Sequence, residues 1–100
     1  MSPHAPLRSD EFLILAVLSD GENHGNGIMQ GVYRKTNGGL MLRSAGLYGV
    51  LRRLTNRNLI EQVKRPHEDP EKEGMRTYYK ITSLGLQVVA SEAQSRAMGR

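Results

Sequence analysis

The chain of 100 residues has no cysteine and no tryptophan, and only one phenylalanine. Without thiols there can be no disulfide, no thiolate nucleophile and no cysteine-held zinc, and the composition permits a reducing cytosol. Long apolar runs are missing as well. The longest, Phe12 to Leu18, falls far short of the roughly 20 residues that span a bilayer, so no membrane partner is expected. The first residues, Met1-Ser2-Pro3-His4-Ala5-Pro6, show no basic stretch leading into an apolar one, and the expected location is cytoplasmic. Catalytic equipment is equally thin. His4, His24 and His67 have no second imidazole at metal-ligand spacing, and no carboxylate pair recurs on a helical face. Gly25-x-Gly27 is not expected to follow a strand, as a phosphate-cradling loop would. The sequence predicts no enzyme, no metal and no cofactor.

What is present fits one small domain with a modest core. Lys and Arg number 14 against 10 Asp and Glu, a net charge of +4, which suits a polyanionic partner without requiring one. Residues 1–8, with two prolines, read as a loose arm. Ser9-Asp10-Glu11 opens a first helix with a cap candidate and two acids that suit the helix dipole. Phe12 to Leu18 is apolar almost all round, marking a central helix with surface left for a partner. Asp20-Gly21 ends it.

A second helix is predicted from His24 to Thr36, with Ile28, Met29, Val32 and Tyr33 on one face. Its three glycines are best explained by close approach to another helix, and His24 at its start by capping or packing. Asn37-Gly38-Gly39 stops it. Leu40-Met41-Leu42 reads as a short strand. Ser44 is the expected cap of a third helix that Asn58 ends. Residues 59–65 and 76–82 read as two strands of a hairpin, joined by a loop in which 67–73 hold four acids and one lysine. Tyr78 and Tyr79 are neighbours on a strand, so one should be core and the other exposed. Ser83 is the expected cap of a last helix reaching about Met98. The order is α-α-β-α-β-β-α, an α+β and mostly helical winged helix-turn-helix.

The third helix carries the functional reading. Leu47, Val50, Leu51 and Leu54 form its buried stripe, which turns Ala45, Gly49, Arg52 and Asn56 outward with Tyr48 and Arg53 flanking. Small residues let a helix sit deep in a groove about 12 Å wide, where Arg addresses guanine and Asn addresses adenine. Residues 43–58 hold four arginines and no acid. Ser44 and the free N–H groups of the first turn can hold a phosphate. Lys64, Arg65, Arg76 and Lys80 on the hairpin can meet a nucleic-acid backbone. The acidic loop should be repelled by it, so the strands rather than the tip are expected to touch DNA.

Five segments in register resemble the PadR family of transcription regulators: Phe12–Leu18, His24-Gly25-Asn26-Gly27-Ile28, Gly46-Leu47-Tyr48-Gly49-Val50-Leu51-Arg52-Arg53-Leu54, Leu59-Ile60-Glu61, and Arg76-Thr77-Tyr78-Tyr79-Lys80-Ile81-Thr82 with Gly85. The resemblance covers roughly residues 9–90. It implies a repressor of promoter DNA, a homodimer built through the first and last helices, and a small aromatic or lipophilic effector. It also implies that Ser44, Tyr48, Arg52 and Arg53 belong to the reading element and Arg76 to the wing.

Dimer contacts are expected from Phe12 and Leu13 on the first helix and from Leu84, Val88 and Val89 on the last, with Leu86, Ala93 and Ala97 nearby, because a contiguous apolar side usually has a partner. The expected division is an arm at 1–8, a DNA-binding domain at 9–82 and a dimerisation helix at 83–100. Two further readings stand beside the DNA-binding one. One is a winged-helix module that binds protein and not DNA. The other is a sensor with an effector pocket in the dimer seam near Phe12, Ile14 and Val88.

Overall fold

The apolar run at 12–18 becomes the centre of the fold. The computed structural model describes residues 6–98. Its elements are α1 (Ser9–Ser19), β1 (Asn23–His24), α2 (Gly25–Lys35), α3 (Ser44–Asn56), β2 (Ile60–Pro66), β3 (Met75–Ile81) and α4 (Ser83–Met98). Ile14, Leu15 and Leu18 of α1 are fully buried, together with Ile28 and Val32 of α2, Leu47, Leu51 and Leu54 of α3, and Leu59 and Ile60 at the start of the hairpin. Tyr79 and Val88 complete this core. The architecture is the α+β winged helix-turn-helix that the pattern predicts.

The helix boundaries follow local chemistry. At the start of α1, Glu11 accepts the Arg8 N–H at 2.8 Å, half of a capping box. His24 caps α2, its Nδ1 accepting the Gly27 N–H at 3.2 Å. That helix stops where Asn37 and Gly38 take φ of 52° and 82°. Gly31 has the close approach expected of a mid-helix glycine: a Cβ there would lie 2.8 Å from Val17 Cγ1 of α1. Asn58, at φ 62°, turns the chain out of α3.

Three caps sit one residue earlier than expected, the first being Arg8, which precedes Ser9 at the start of α1. Arg43, with no side-chain cap bond, precedes α3, so Ser44 is its first helical residue. Thr82, whose Oγ1 accepts the Gly85 N–H at 3.0 Å, caps α4 in place of Ser83.

The sheet has the order β1-β3-β2. β2 and β3 pair antiparallel from Ile60↔Ile81 to Pro66↔Met75, and β1 adds Asn23↔Tyr79 and His24↔Tyr78. The third strand therefore comes from the link between α1 and α2, not from Leu40-Met41-Leu42. That segment is irregular. Leu40 and Leu42 are half-buried against the core while Met41 is exposed, an alternation that mimics a strand without any strand to pair with.

β1 also corrects the expectation for the adjacent tyrosines. Both are buried. Tyr79 faces the helical core, while Tyr78 on the reverse face is covered by His24, an edge-on ring contact at 5.4 Å. Its hydroxyl donates to Glu68 Oε1 at 3.1 Å.

Of the expected arm, residues 1–5 lie outside the described residues. Leu7 is buried, and its N–H donates to Glu92 Oε1 of α4 at 3.2 Å. Among the described residues no helix is long and apolar enough to cross a membrane, and no group of three or more His, Asp or Glu could hold a metal ion.

Candidate nucleic-acid interface

A helix reads a groove only if one face is free, and α3 divides cleanly. Leu47, Val50, Leu51 and Leu54 are buried. Ala45, Arg52 and Asn56 are exposed and Gly49 is half-buried, while the space around Gly46 and Gly49 is open to beyond 4 Å. The structure thus brings the outward row together as one surface. Ser44 is exposed at its N-terminal end. Among the described residues neither Arg43 nor Arg52 has a carboxylate partner.

Tyr48 is 49 % exposed and lies across the start of α2. A Cβ on Gly25 would come within 2.6 Å of its hydroxyl, so Gly25 makes room for this ring. Tyr48, Ser44, His24 and Tyr79 line a cleft of about 500 Å³ between α2, α3 and the hairpin, and Arg76 borders it.

Arg53 takes a different direction from its neighbour Arg52. Its Nε lies 3.5 Å from Oε2 of Glu11, a carboxylate buried under α1, and Arg57 Nη1 lies 3.8 Å from Oε1 of the same group. Arg53, expected in the reading element, has a side chain 46% exposed whose guanidinium is paired with the fold. The signal was present in the sequence. Glu11 is the acid adjoining an otherwise apolar helix, but its partners lie more than 40 residues away.

The hairpin cations do not form one surface. Strand alternation puts Lys64 on the face that bears Tyr79, hydrogen-bonded to Thr77 Oγ1 across the ladder. Arg65, Arg76 and Lys80 stand on the reverse face. Arg65 holds Glu22, with Nη2 to Oε1 at 2.8 Å. That hydrogen bond and the guanidinium charge hold the Glu22 carboxyl below its ordinary pKa, while the same bond and the carboxylate charge raise that of Arg65. Lys80 is exposed.

Protonation states around the cleft follow from burial. Tyr78 is pushed up first by burial and then by its bond to Glu68. Tyr79 is raised by burial and by the nearby Tyr48. His24 is lowered by burial and then by Arg76, with Glu68 opposing. Neutral His24 is what its capping bond to Gly27 requires.

On the candidate dimer face, Leu84 and Leu86 are 46 % and 47 % exposed, while Phe12, Leu13 and Val89 are half-buried against the core. Val88 is 2 % exposed. It packs in its own core, as does Ile14, so in the single chain neither presents surface on this face.

With this geometry established, the comparison with known proteins is direct. The family model described as the Transcriptional regulator PadR-like family matches residues 14–91. The chain belongs to the PadR-like family. This is a family of regulators and not of enzymes. An uncharacterized protein of Lysinibacillus sphaericus is 34% identical over 73 residues, which is 73% of this chain and 64% of that protein. The PadR-like chain therefore spans less than two thirds of that relative's length. The PadR-like regulator of Bacillus cereus is 25% identical with a TM-score of 0.74, over 88% of this chain and 81% of that one. A PadR family regulator of Clostridium difficile, at 21% identity, has a TM-score of 0.77 over 91% and 90%. Bacillus subtilis PadR, solved in complex with operator DNA, shares the fold at 20% identity and a TM-score of 0.72 over 84% of this chain and 46% of that one.

Proposed function

We propose that this PadR-like chain is a homodimeric repressor that reads operator DNA with α3. The observation that carries the reading is the outward row Ala45, Gly49, Arg52 and Asn56, small at its N-terminal end and polar beyond it, on a helix whose other side is buried. In a major groove, Arg52 would address guanine O6/N7 and Asn56 adenine N6/N7. Ser44 with the first-turn N–H groups, and Tyr48 and Arg76 beside the cleft, would meet phosphates. Lys64 and Lys80, on opposite faces of the hairpin, would contribute to the field more than to one contact.

Dimerisation would use the exposed Leu84 and Leu86 of α4 with Phe12, Leu13 and Val89 beside them. A two-fold axis matches two reading helices to half-sites about one DNA turn apart. Repression would follow from occupying promoter DNA. A small aromatic or lipophilic effector would act by changing the angle between subunits.

Anisotropy titrations of Arg52→Ala and Arg76→Ala at two salt concentrations test the assignment. Arg52→Ala is expected to lose about 1–3 kcal/mol on the preferred duplex and to relax sequence preference. Arg76→Ala is expected to weaken all sequences alike and to reduce the salt slope by about one per subunit. Equal losses for Arg52→Ala on preferred and random duplexes would remove it from the reading role. A wild-type chain that ignores duplex DNA at low salt but holds a protein partner would instead support the winged-helix protein-interaction module.

A further inference from the structure

Glu11 is the only charged side chain that is buried among the described residues. Its carboxylate joins three groups: the Arg8 N–H at 2.8 Å, Arg53 Nε at 3.5 Å and Arg57 Nη1 at 3.8 Å. Arg53, in the last turn of α3, and Arg57, its C-cap residue, are four residues apart and continue one row down the helix. Arg52 and Asn56 make a parallel row, displaced by about 100° around the helix axis. The buried stripe of α3 sets its rotation, and holding the first row on a buried carboxylate braces that rotation and with it the direction of the second. Burial gives the clamp its hold. Exposed ion pairs contribute little and change rotamers freely, whereas a carboxylate shut off from water loses heavily if its partners leave.

The clamp is anchored on its other side. Leu7 N–H donates to Glu92 Oε1 of α4 at 3.2 Å, and Arg96 of α4 lies over the Phe12 ring at 4.3 Å. Residues 7–12 are thus fastened to α4 on one side and to α3 on the other.

We infer that Glu11 is a positioning residue for DNA recognition, clamping Arg53 in the last turn of α3 and Arg57 at its C-cap so that Arg52 and Asn56 face the groove. The inference rests on the proposed DNA-binding function. Glu11 itself touches no DNA. Losing its charge should therefore blur sequence preference more than it weakens general attraction to the duplex.

The full chain is titrated by fluorescence anisotropy against a duplex that the wild-type protein selects from a random pool, and against a random duplex of equal length. Melting is followed in parallel. Glu11→Gln keeps an oxygen for the Arg8 N–H and removes the charge. Its ratio of selected to random affinity should fall by about tenfold, the loss of one well-aimed base contact. Affinity for the random duplex should hold or rise, since Arg53 is released. Glu11→Asp, which restores the charge, should recover part of the ratio. Arg53→Gln should lower the ratio by a similar factor, and adding it to Glu11→Gln should lower it little further.

A purely structural role predicts that melting temperature and both affinities drop together with the ratio unchanged, and that result overturns the inference. If Glu11→Gln does not fold, Arg53→Gln decides alone, and an unchanged ratio sinks the inference. Failure of the wild-type chain to select any duplex overturns the DNA-binding reading itself, a result distinct from a wild type that selects and a variant that selects equally well.

Discussion

Replacing Gly85 with alanine should unsettle the junction between hairpin and last helix. A Cβ at Gly85 would stand 2.2 Å from the Leu59 carbonyl oxygen and 2.7 Å from Ile81 Cγ1, where ordinary contact begins at 3.4 Å. The obstacle is backbone, and it is tied on both sides. Leu59 O accepts the Thr82 N–H at 3.0 Å, and the Leu59 N–H donates to Leu54 O at 3.0 Å. Thr82 Oγ1 is bound to Asn58 O at 2.7 Å, so α4 cannot back away without losing a bond. Overpacking of this kind costs about 1–3 kcal/mol and a lost hydrogen bond about 1 kcal/mol more, while alanine returns up to about 1 kcal/mol of helix propensity. The net is a loss of about 1–3 kcal/mol, which at about 4–8 °C per kcal/mol for a domain of this size should lower melting by about 5–20 °C.

Circular-dichroism melts at one fixed protein concentration measure this, because melting of a dimer depends on concentration. Gly49→Ala is the control. It lies inside α3 with nothing within 4 Å of the new methyl, and should stabilise by about 0.5–1 kcal/mol. A Gly85→Ala protein that melts with or above the wild type would refute the close-approach argument, as would an equal fall in Gly49→Ala.

Three further outcomes are expected. His24 has its pKa lowered by burial and by Arg76, below the ordinary 6.5. Its contribution to stability is therefore full above about 6.5 and is lost as the pH falls through the lower folded value, where the unfolded chain takes up the proton first; urea titrations between pH 5 and 8 should show this slope, and His24→Gln should flatten it. Leu86→Glu places a charge on the exposed side of α4 and should shift sedimentation toward the monomer while leaving the far-ultraviolet spectrum intact; an unchanged dimer would exclude that face as the interface. Arg43→Ala should lower the salt slope of DNA binding by about one per subunit, whereas Arg53→Ala should change it by less, since Glu11, shared with Arg57, already offsets part of that charge; equal slopes for the two would mean the ion pair opens on DNA.

The parts of the fold that were legible are those whose cause is local. The 3.6-residue spacing of Leu47, Val50, Leu51 and Leu54 gave the buried side of α3 correctly, because periodicity is a property of the segment itself. Asn37-Gly38 and Asn58 marked helix ends for the same reason, each taking a positive φ. What escaped depends on partners far along the chain. A two-residue strand at Asn23–His24 has no periodicity to detect, and without it nothing predicts that the outer face of Tyr78 is covered. Leu40-Met41-Leu42 alternates as a strand does, but β3 already has β1 and β2 on its two edges. Val88 belongs to the apolar side of its helix, and the pattern alone does not say whether that side meets a partner or, as Val88 does here, its own core. The outward row of α3 followed from the same geometry as the buried stripe, whereas the attachment of Arg53 to Glu11 could not follow from either.

That division of the arginines bears on how a chain with a net charge of only +4 could recognise a sequence on DNA instead of adhering to any duplex. Non-specific binding grows with the number of phosphates neutralised. Here several cations are already offset within the fold: Arg53 and Arg57 share the single charge of Glu11, Arg65 is paired with Glu22, and Lys35 with Asp20 at 3.1 Å. The loop at the end of the hairpin adds Glu68, Asp69, Glu71 and Glu73 where a duplex backbone would approach. Each of these lowers the affinity for an arbitrary sequence. Arg52 and Asn56, on the face that would meet base edges, are left unmatched, so a larger share of the binding free energy would come from base contacts. On the proposed reading, the internal ion pairs serve selectivity twice: they withhold charge from the general attraction, and through Glu11 they aim the side chains that remain.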